Sequence, residues 1–379
     1  MRASLLIKSI LLLFKIFTVV NLSILSVNEV RASPEDRLPA VTAFVDEMVK
    51  DYAFQRENLM SIMYQARFHE KIITTMQRPA EKKAWHTYRD IFITTNRIQG
   101  GVRFWNSHVA VLNQAYTEYG VEPEIIVAII GVESFYGRNV GRYRVLDSLA
   151  TLTFGYPKRA KFFRNELKEF LLLNREEEKL GLLTRTGSYA GAMGLAQFMP
   201  SSYRAYAIDH NKDGIRDLWN TPTDIIGSIA NYFRTHGWKK NKLVASKASG
   251  KTPPQYLIKK SSKPTLHFSI LKKHGITINA TVTKTQLKNY NKVSIFKLKA
   301  KTKDEYWVGF NNFYVITRYN RSKLYAMVVH QLSQQILALH NKAVNEKGTN
   351  TNTNTNSTSD QTANNKSKDA KSTDVTIPK

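Results

Sequence analysis

Glu133 is the residue whose type and setting most directly suggest acid–base chemistry. It closes the stretch IIVAIIGVE, in which residues 125–132 carry no polar side chain. Periodicity alone leaves that run open as a buried helix or a buried strand. Pro123, between Glu122 and Glu124, resembles a helix start and Gly137 suits a stop, which would put Glu133 in the last turn of a buried helix. There desolvation and the negative end of the helix dipole both disfavour the anion, so its pKa should rise. A carboxyl still protonated near neutral pH is what general acid catalysis requires. The competing reading is an ordinary helix-end Glu reaching out to Arg138 or Arg142.

Two further segments carry polar groups at suggestive spacings. GSYAGAMGLAQFMPSSY, residues 187–203, is rich in small residues and includes Ser188, Gln197, Ser201 and Ser202. Its glycines permit close backbone approach to a ligand or, equally, to a packed helix. DHNKDGIRDLWNTPTD, residues 209–224, sets Asp209, Asn211 and Asp213 at alternate positions before Gly214, the opening of an EF-hand calcium loop. The carbonyl of Ile215 and the side chain of Asp217 can follow. The twelfth position is Asn220 instead of a bidentate Glu, a role open to Asp224 in a longer loop. Hard oxygen ligands favour calcium over a transition metal; the alternative is an Asx-rich surface turn.

The elements that must hold these groups read as mostly helical. After Ser33 and Pro34, the residues Val41, Phe44, Val45, Met48, Val49 and Tyr52 form one apolar stripe. Similar patterning recurs around Trp105, Val109, Leu112 and Tyr116, then over 161–173 and 324–339. Between 239 and 308 the texture changes to short β-branched runs at 265–271, 276–282 and 292–298, read as a small β module inserted into a helical protein.

A chain of 379 residues has room for two or three domains. It contains no cysteine, which excludes disulfides, thiolate metal sites, a cysteine nucleophile and a lipidated N-terminal cysteine. Arg2, Lys8 and the apolar stretch behind them read as an export signal over 1–32, with an uncleaved anchor as the alternative. The expected location is the periplasm, in solution or loosely tethered to a membrane. Lys plus Arg exceed Asp plus Glu by 26, and residues 239–303 hold 17 lysines and no acidic residue. That stretch is either a solvated face or a surface for nucleic acid, an acidic polysaccharide or an anionic membrane. Lysine without arginine or clustered aromatics gives no reason to expect specific nucleic-acid binding. From 345 to 379 the Asn-, Thr-, Ser- and Lys-rich composition predicts disorder.

Together with GYPKRAKFF (155–163), DIIGSIANYFRTHGW (224–238) and NFYVITRYNRSKLYA (312–326), these segments resemble the membrane-bound lytic transglycosylase B family of bacterial cell-wall enzymes. The likeness extends over 39–339. It implies an α+β, mainly α fold: a lysozyme-like core at 119–238 with an EF-hand-like loop, a helical domain at 33–118 completed by 320–344, and a small lysine-rich β domain at 239–319. It implies Glu133 of ESFYG as the single catalytic acid/base, with Ser188, Gln197, Tyr156, Tyr319, Asn320 and Tyr325 lining a saccharide cleft. It further implies a structural calcium at Asp209, Asn211, Asp213, Ile215, Asp217 and Asp224, and no organic cofactor. Asn211, Asn220 and the inserted-looking Thr221 depart from the loop pattern, and the lysine-rich module matches poorly.

Ordinary glycosidases need two carboxylates, whereas this chain sets one in apolar surroundings. Asp147, the nearest candidate in sequence, sits in a polar stretch and is not expected to be a nucleophile. One acid suffices if the substrate supplies the nucleophile. The expected reaction cleaves the β-1,4 bond between N-acetylmuramic acid and N-acetylglucosamine in peptidoglycan glycan strands, closing a 1,6-anhydro ring, in cell-wall remodelling or turnover. The alternatives are a hydrolytic muramidase and a non-catalytic peptidoglycan-binding protein whose basic module meets other cell-wall enzymes or an anionic surface.

Overall fold

The computed structural model describes residues 34–77, 83–258, 261–278 and 290–355. The expected export signal lies outside them, as does 356–379 of the expected tail. Among the described residues no helix is long and apolar enough to cross a membrane. The described residues divide into two compact units, one ending at Gln65 and the other beginning at Ala66.

In the first unit, helix α1 (Pro34–Tyr52) buries Val41, Phe44, Val45 and Met48 along one stripe. Ala53, at φ 54°, ends it, and α2 (Arg56–Tyr64) follows with Leu59 and Met63 buried. An ion pair between Arg56 and Asp46 joins the two helices.

The second unit opens with α3 (Glu70–Met76), α4 (Trp85–Phe92), α5 (Thr95–Ser107) and α6 (Val109–Tyr119). Thr94 caps α5 by accepting a hydrogen bond from the Arg97 N–H at 3.3 Å. Gly120, at φ 70°, stops α6, and Pro123 two residues on from Val121 starts α7 (Pro123–Ser134). Residues 125–132 of α7 are all buried, so the apolar run is a core helix and not a strand.

After α7 come β1 (Tyr143–Arg144), α8 (Val145–Gly155), α9 (Ala160–Glu176), β2 (Thr186–Gly187), α10 (Pro200–Tyr206) and α11 (Pro222–Thr235). β1 and β2 pair antiparallel, Tyr143 opposite Gly187 and Arg144 opposite Thr186. This ladder brings the chain leaving Glu133 against the start of the small-residue segment. Gly141 makes the approach possible: it sits at φ 99°, and a Cβ there would lie 1.8 Å from the Gly187 carbonyl oxygen.

The lysine-rich region folds as a five-stranded antiparallel sheet in the order β4-β6-β7-β3-β5, formed by β3 (Ala245–Gly250), β4 (Leu266–His267), β5 (Ile276–Ile278), β6 (Lys292–Leu298) and β7 (Glu305–Gly309). Ile295 of β6 faces Val308 of β7 inside an apolar cluster with Leu257, Leu271, Ile276, Val293 and Phe310. The run 292–298 is a strand from end to end. The run 265–271 is not, because only Leu266 and His267 find partners in β6 and the chain then turns into α12 (Ser269–Lys273), which drives Leu271 into the cluster. Of 276–282, residues 279–282 lie outside the described residues. Two helices close the unit, α13 (Asn311–Tyr319) and α14 (Lys323–Thr355). Residues 345–355, expected to be disordered, continue α14 instead, since extending a nucleated helix costs less than starting one.

Candidate active site

Glu133 stands in the last turn of α7, which ends at Ser134 because Phe135 and Tyr136 take left-handed φ values of 50° and 58°. Such angles are unusual for side-chain-bearing residues, and they release the backbone sooner than the expected stop at Gly137. The carboxyl is half-buried, and its Oε1 accepts a hydrogen bond from the Tyr325 hydroxyl at 2.5 Å. Burial pushes its pKa up to about 7, and the Tyr325 hydrogen bond restrains the rise by favouring the anion. No ion pair reaches Glu133 among the described residues. Arg138 lies over the Phe135 ring at 5.1 Å and Arg142 over Tyr143 at 5.9 Å, so neither acts as the helix-end partner of the competing reading.

Tyr325, on α14, is 3% exposed. Its ring stacks at 6.5 Å and 9° on Tyr319 from the end of α13. The Tyr319 hydroxyl donates to the Ala196 carbonyl at 2.5 Å, tying the pair to the small-residue segment. Burial first, and the neighbouring Glu133 charge second, hold both phenols well above their usual pKa, so both remain hydrogen-bond donors. Asn320 caps the end of α13, where its Oδ1 accepts from the Ser322 N–H at 3.1 Å.

Ser188 and Gln197 line a cavity of about 500 Å³ with Lys71, Arg138, Asn139 and Arg142. Ser188 Oγ accepts from the Ala190 and Ala192 N–H groups at 3.2 and 3.0 Å. Gln197, held at φ 50°, donates from Nε2 to the carbonyls of Gly194 and Val140 at 2.8 and 3.1 Å. Both side chains therefore shape the cavity wall. Glu133, Tyr319 and Tyr325 are not among its lining residues; they join it through residues 134–143 and through Ala196, next to Gln197. Tyr156 is buried at the end of α8 and shares no hydrogen bond or ring contact with Glu133 among the described residues.

Two other carboxyls compete for a catalytic role. Asp147 is 3% exposed and receives Arg144 Nη2 at 2.6 Å, Arg144 Nε at 3.0 Å and the Arg67 N–H at 2.9 Å. With His69 Nε2 also 3.4 Å from Oδ2, Asp147 is bound up in bracing α8 and poorly placed to meet a substrate. Glu124, at the other end of α7, is also pushed up to about 7 by burial, and it lines a cavity of about 540 Å³ with Trp238, Trp307 and His330. The larger cavity lacks what surrounds Glu133, a phenol donor to stabilise the carboxylate once its proton has gone. Of these two raised carboxyls, Glu133 is the one that accepts from a phenol.

In the 209–224 loop the carboxylates of Asp209, Asp213 and Asp224 offer oxygens all within 4.8 Å of one another. Asp224 is fully buried, and burial raises its pKa, a cost that a cation would remove. Asn211 donates to Asp213 Oδ2 at 2.8 Å, and the Ile215 N–H donates to Asp213 Oδ1 at 2.9 Å. Asp217 is not in that group of three; its oxygens accept from the Trp219 N–H at 2.7 Å and the Asn220 side chain at 2.9 Å. An all-oxygen set with a buried carboxylate fits a calcium ion.

Sequence reading passed over Arg97, whose guanidinium donates to the Gly131 carbonyl at the end of α7. It assigned Tyr325 to a wall, where the structure makes it the hydrogen-bond donor to Glu133. No local pattern announces either contact: 34 residues separate Arg97 from Gly131, and 192 separate Tyr325 from Glu133.

Residues 37–334 match the transglycosylase SLT domain. The chain is 44% identical over 308 residues to membrane-bound lytic murein transglycosylase B of Escherichia coli (strain K12), a match spanning 79% of this chain and 82% of that protein. Its structure is similar to the soluble lytic transglycosylase SltB1 from Pseudomonas aeruginosa, at a TM-score of 0.73 and 48% identity over 80% of this chain and 100% of that one. It is also similar to the Escherichia coli lytic transglycosylase Slt35 in complex with calcium, at a TM-score of 0.72 and 44% identity over 80% of this chain and 94% of that one.

Proposed function

Because the chain belongs to the transglycosylase SLT domain family of lytic transglycosylases, we propose that Glu133 is the acid and base of a peptidoglycan cleavage needing no second carboxylate. The protonated carboxyl gives its proton to the oxygen of the β-1,4 bond between N-acetylmuramic acid and N-acetylglucosamine, and that C–O bond breaks with the N-acetyl group assisting at C1. The resulting carboxylate, held by the Tyr325 hydroxyl, takes the proton of the muramoyl C6 hydroxyl as O6 closes on C1. The product is a 1,6-anhydro sugar, no water is consumed, and Glu133 regains its proton. The carrying observation is that Glu133, pushed up to about 7, has as its hydrogen-bonded partner among the described residues Tyr325, a donor that stays protonated.

Ser188 and Gln197 build the cleft wall beside the reacting sugars in this reading, and Tyr319 backs Tyr325. Lys71, Arg138 and Arg142 around the cavity suit the carboxylates of peptide stems, and the lysine-rich sheet offers a second anionic contact. Residues 1–32 support export to the periplasm, and the absence of cysteine leaves any membrane association to other means than a lipidated thiol.

The experiment is digestion of purified peptidoglycan by the protein from Ser33 onward, with Glu133→Gln and Glu124→Gln beside it, followed by mass spectrometry of the soluble muropeptides. Products lighter by one water than hydrolysis products are expected from the parent and from Glu124→Gln, and none from Glu133→Gln. Reducing-end products would instead establish a hydrolytic muramidase.

For the loop, Asp209, Asp213 and Asp224 would hold a calcium ion, with Asn211 and the Ile215 carbonyl as further oxygens, and the ion would brace the core without touching the substrate. Calcium at about 100 times its Kd should stabilise the fold by about 2.7 kcal/mol. Thermal melts with and without a chelator are expected to differ in the parent and to coincide in Asp224→Asn; coincident melts in the parent would remove the ion from the account.

A further inference from the structure

The strain at the end of α7 has a counterweight, and it centres on a residue outside the cleft. In a continuing helix the Phe135 N–H would bond the Gly131 carbonyl; here it reaches back to Ile130 instead. The Gly131 carbonyl, orphaned two residues before Glu133, accepts from Arg97 Nε at 2.9 Å. The same guanidinium donates from Nη1 to the carbonyls of Ile91 and Phe92 at 2.9 and 3.0 Å, and lies 4.6 Å from the Phe135 ring centre. Tyr136 closes the arrangement. Its hydroxyl donates to the Arg97 carbonyl at 2.8 Å, and its side chain fills a slot where a Cβ on Gly100, Gly101 or Gly131 would come within 2.8, 2.7 or 2.5 Å of it.

We propose that Arg97 is a positioning residue for the reaction: with Tyr136 it clamps the last turn of α7 to the start of α5, and so sets where Glu133 presents its carboxyl. The inference rests on the reading of Glu133 as the acid and base. Three carbonyls and two ring faces, Phe135 and, at 5.2 Å, Phe92, are met by a single planar fork, a geometry that lysine, a point charge on a flexible stem, does not reproduce. Without the fork the Gly131 carbonyl loses its donor, and the left-handed Phe135 and Tyr136 have less to hold them. A last turn free to relax moves Glu133 relative to Tyr325 and the cleft. Displacements near 1 Å cost about 10²-fold in rate even when they originate away from the chemistry.

The test compares Arg97→Lys, Arg97→Met and Tyr136→Phe with the parent on soluble glycan strands, reading kcat, KM, the alkaline limb of the pH–rate profile and the melting temperature. Arg97→Lys and Arg97→Met should lose about 10²-fold in kcat with KM within about threefold, and their alkaline limb should shift because Glu133 leaves its phenol partner. Tyr136→Phe keeps the ring in its slot and loses only the bond to Arg97, so it should fold like the parent and show the same pattern at smaller size. Parent-like kcat and pH profiles in all three, with only the melting temperature lowered, would overturn the proposal. So would an Arg97→Lys variant that matches the parent while Arg97→Met does not, since charge alone would then suffice. A parent that yields no anhydro products would sink the reading of Glu133 itself, a separate result visible before any variant is made.

Discussion

A Glu133→Gln variant is expected to lose peptidoglycan cleavage and yet to be more stable than the parent above pH 7. The loss follows from removing the proton donor and acceptor of the proposed reaction, a contribution of about 10² to 10⁴-fold in rate. The stability gain follows from linkage. Burial pushes the Glu133 pKa from 4.5 up to about 7 in the folded protein, so the unfolded chain releases this proton more readily than the folded one. The parent is therefore penalised progressively as pH rises from about 4.5, in full above about 7, by an amount on the order of 3 kcal/mol before any relief from the solvent that reaches the half-buried carboxyl. Gln cannot ionise, keeps the side-chain volume, and leaves an oxygen to accept from Tyr325. Melts of parent and variant at pH 4 and pH 8 measure this directly. The gap should be small at pH 4 and favour the variant at pH 8. A gap independent of pH would mean that Glu133 is not ionising at a cost, and with it the basis for a neutral-pH acid would go.

How much of this was legible in the sequence depended on whether the controlling contacts were local. The apolar run before Glu133 and the proline ahead of it dictate a buried helix with a carboxyl in its last turn, and α7 has that form. The stripe on α1, decided by the period of its apolar residues, and the strand 292–298, decided by its β-branched composition, are equally local. The run 265–271 misled because β-branched composition says nothing about whether a neighbouring strand is long enough to pair, and β6 offers Leu266 and His267 their only partners. Asp217 sits at a calcium-loop spacing but falls outside the close group of Asp209, Asp213 and Asp224, a placement made by the fold of the loop that spacing alone does not resolve. The donor to Glu133 and the clamp on its helix come from Tyr325 and Arg97, brought in by tertiary packing of α14 and α5. The resemblance supplied Tyr325 as a cleft residue; only the folded geometry turns its hydroxyl toward the carboxyl.

That hydroxyl makes Tyr325→Phe the most discriminating conservative change in the site. The substitution keeps the ring, and with it the stack on Tyr319, and removes one donor. In the parent the phenol favours the carboxylate and so opposes the upward push of burial on Glu133. Without it the Glu133 pKa should move further above 7, and because the protonated form is the one that starts the reaction, the alkaline limb of kcat/KM should move to higher pH. The shift in pH preference does not make the variant faster. As Glu133 gives up its proton, negative charge develops on an oxygen that Tyr325 meets at 2.5 Å, and a hydrogen bond to a charged group contributes about 1.5 to 3 kcal/mol. At about 1.4 kcal/mol per decade, kcat should fall by about 10 to 100-fold. A lower plateau combined with a limb displaced upward is a signature that general loosening of the fold does not produce, since loosening would admit water and bring the Glu133 pKa down. If Tyr325→Phe instead retains the parent plateau and limb, the phenol is a wall as the sequence suggested, and the stabilisation of the Glu133 carboxylate must be sought from the substrate.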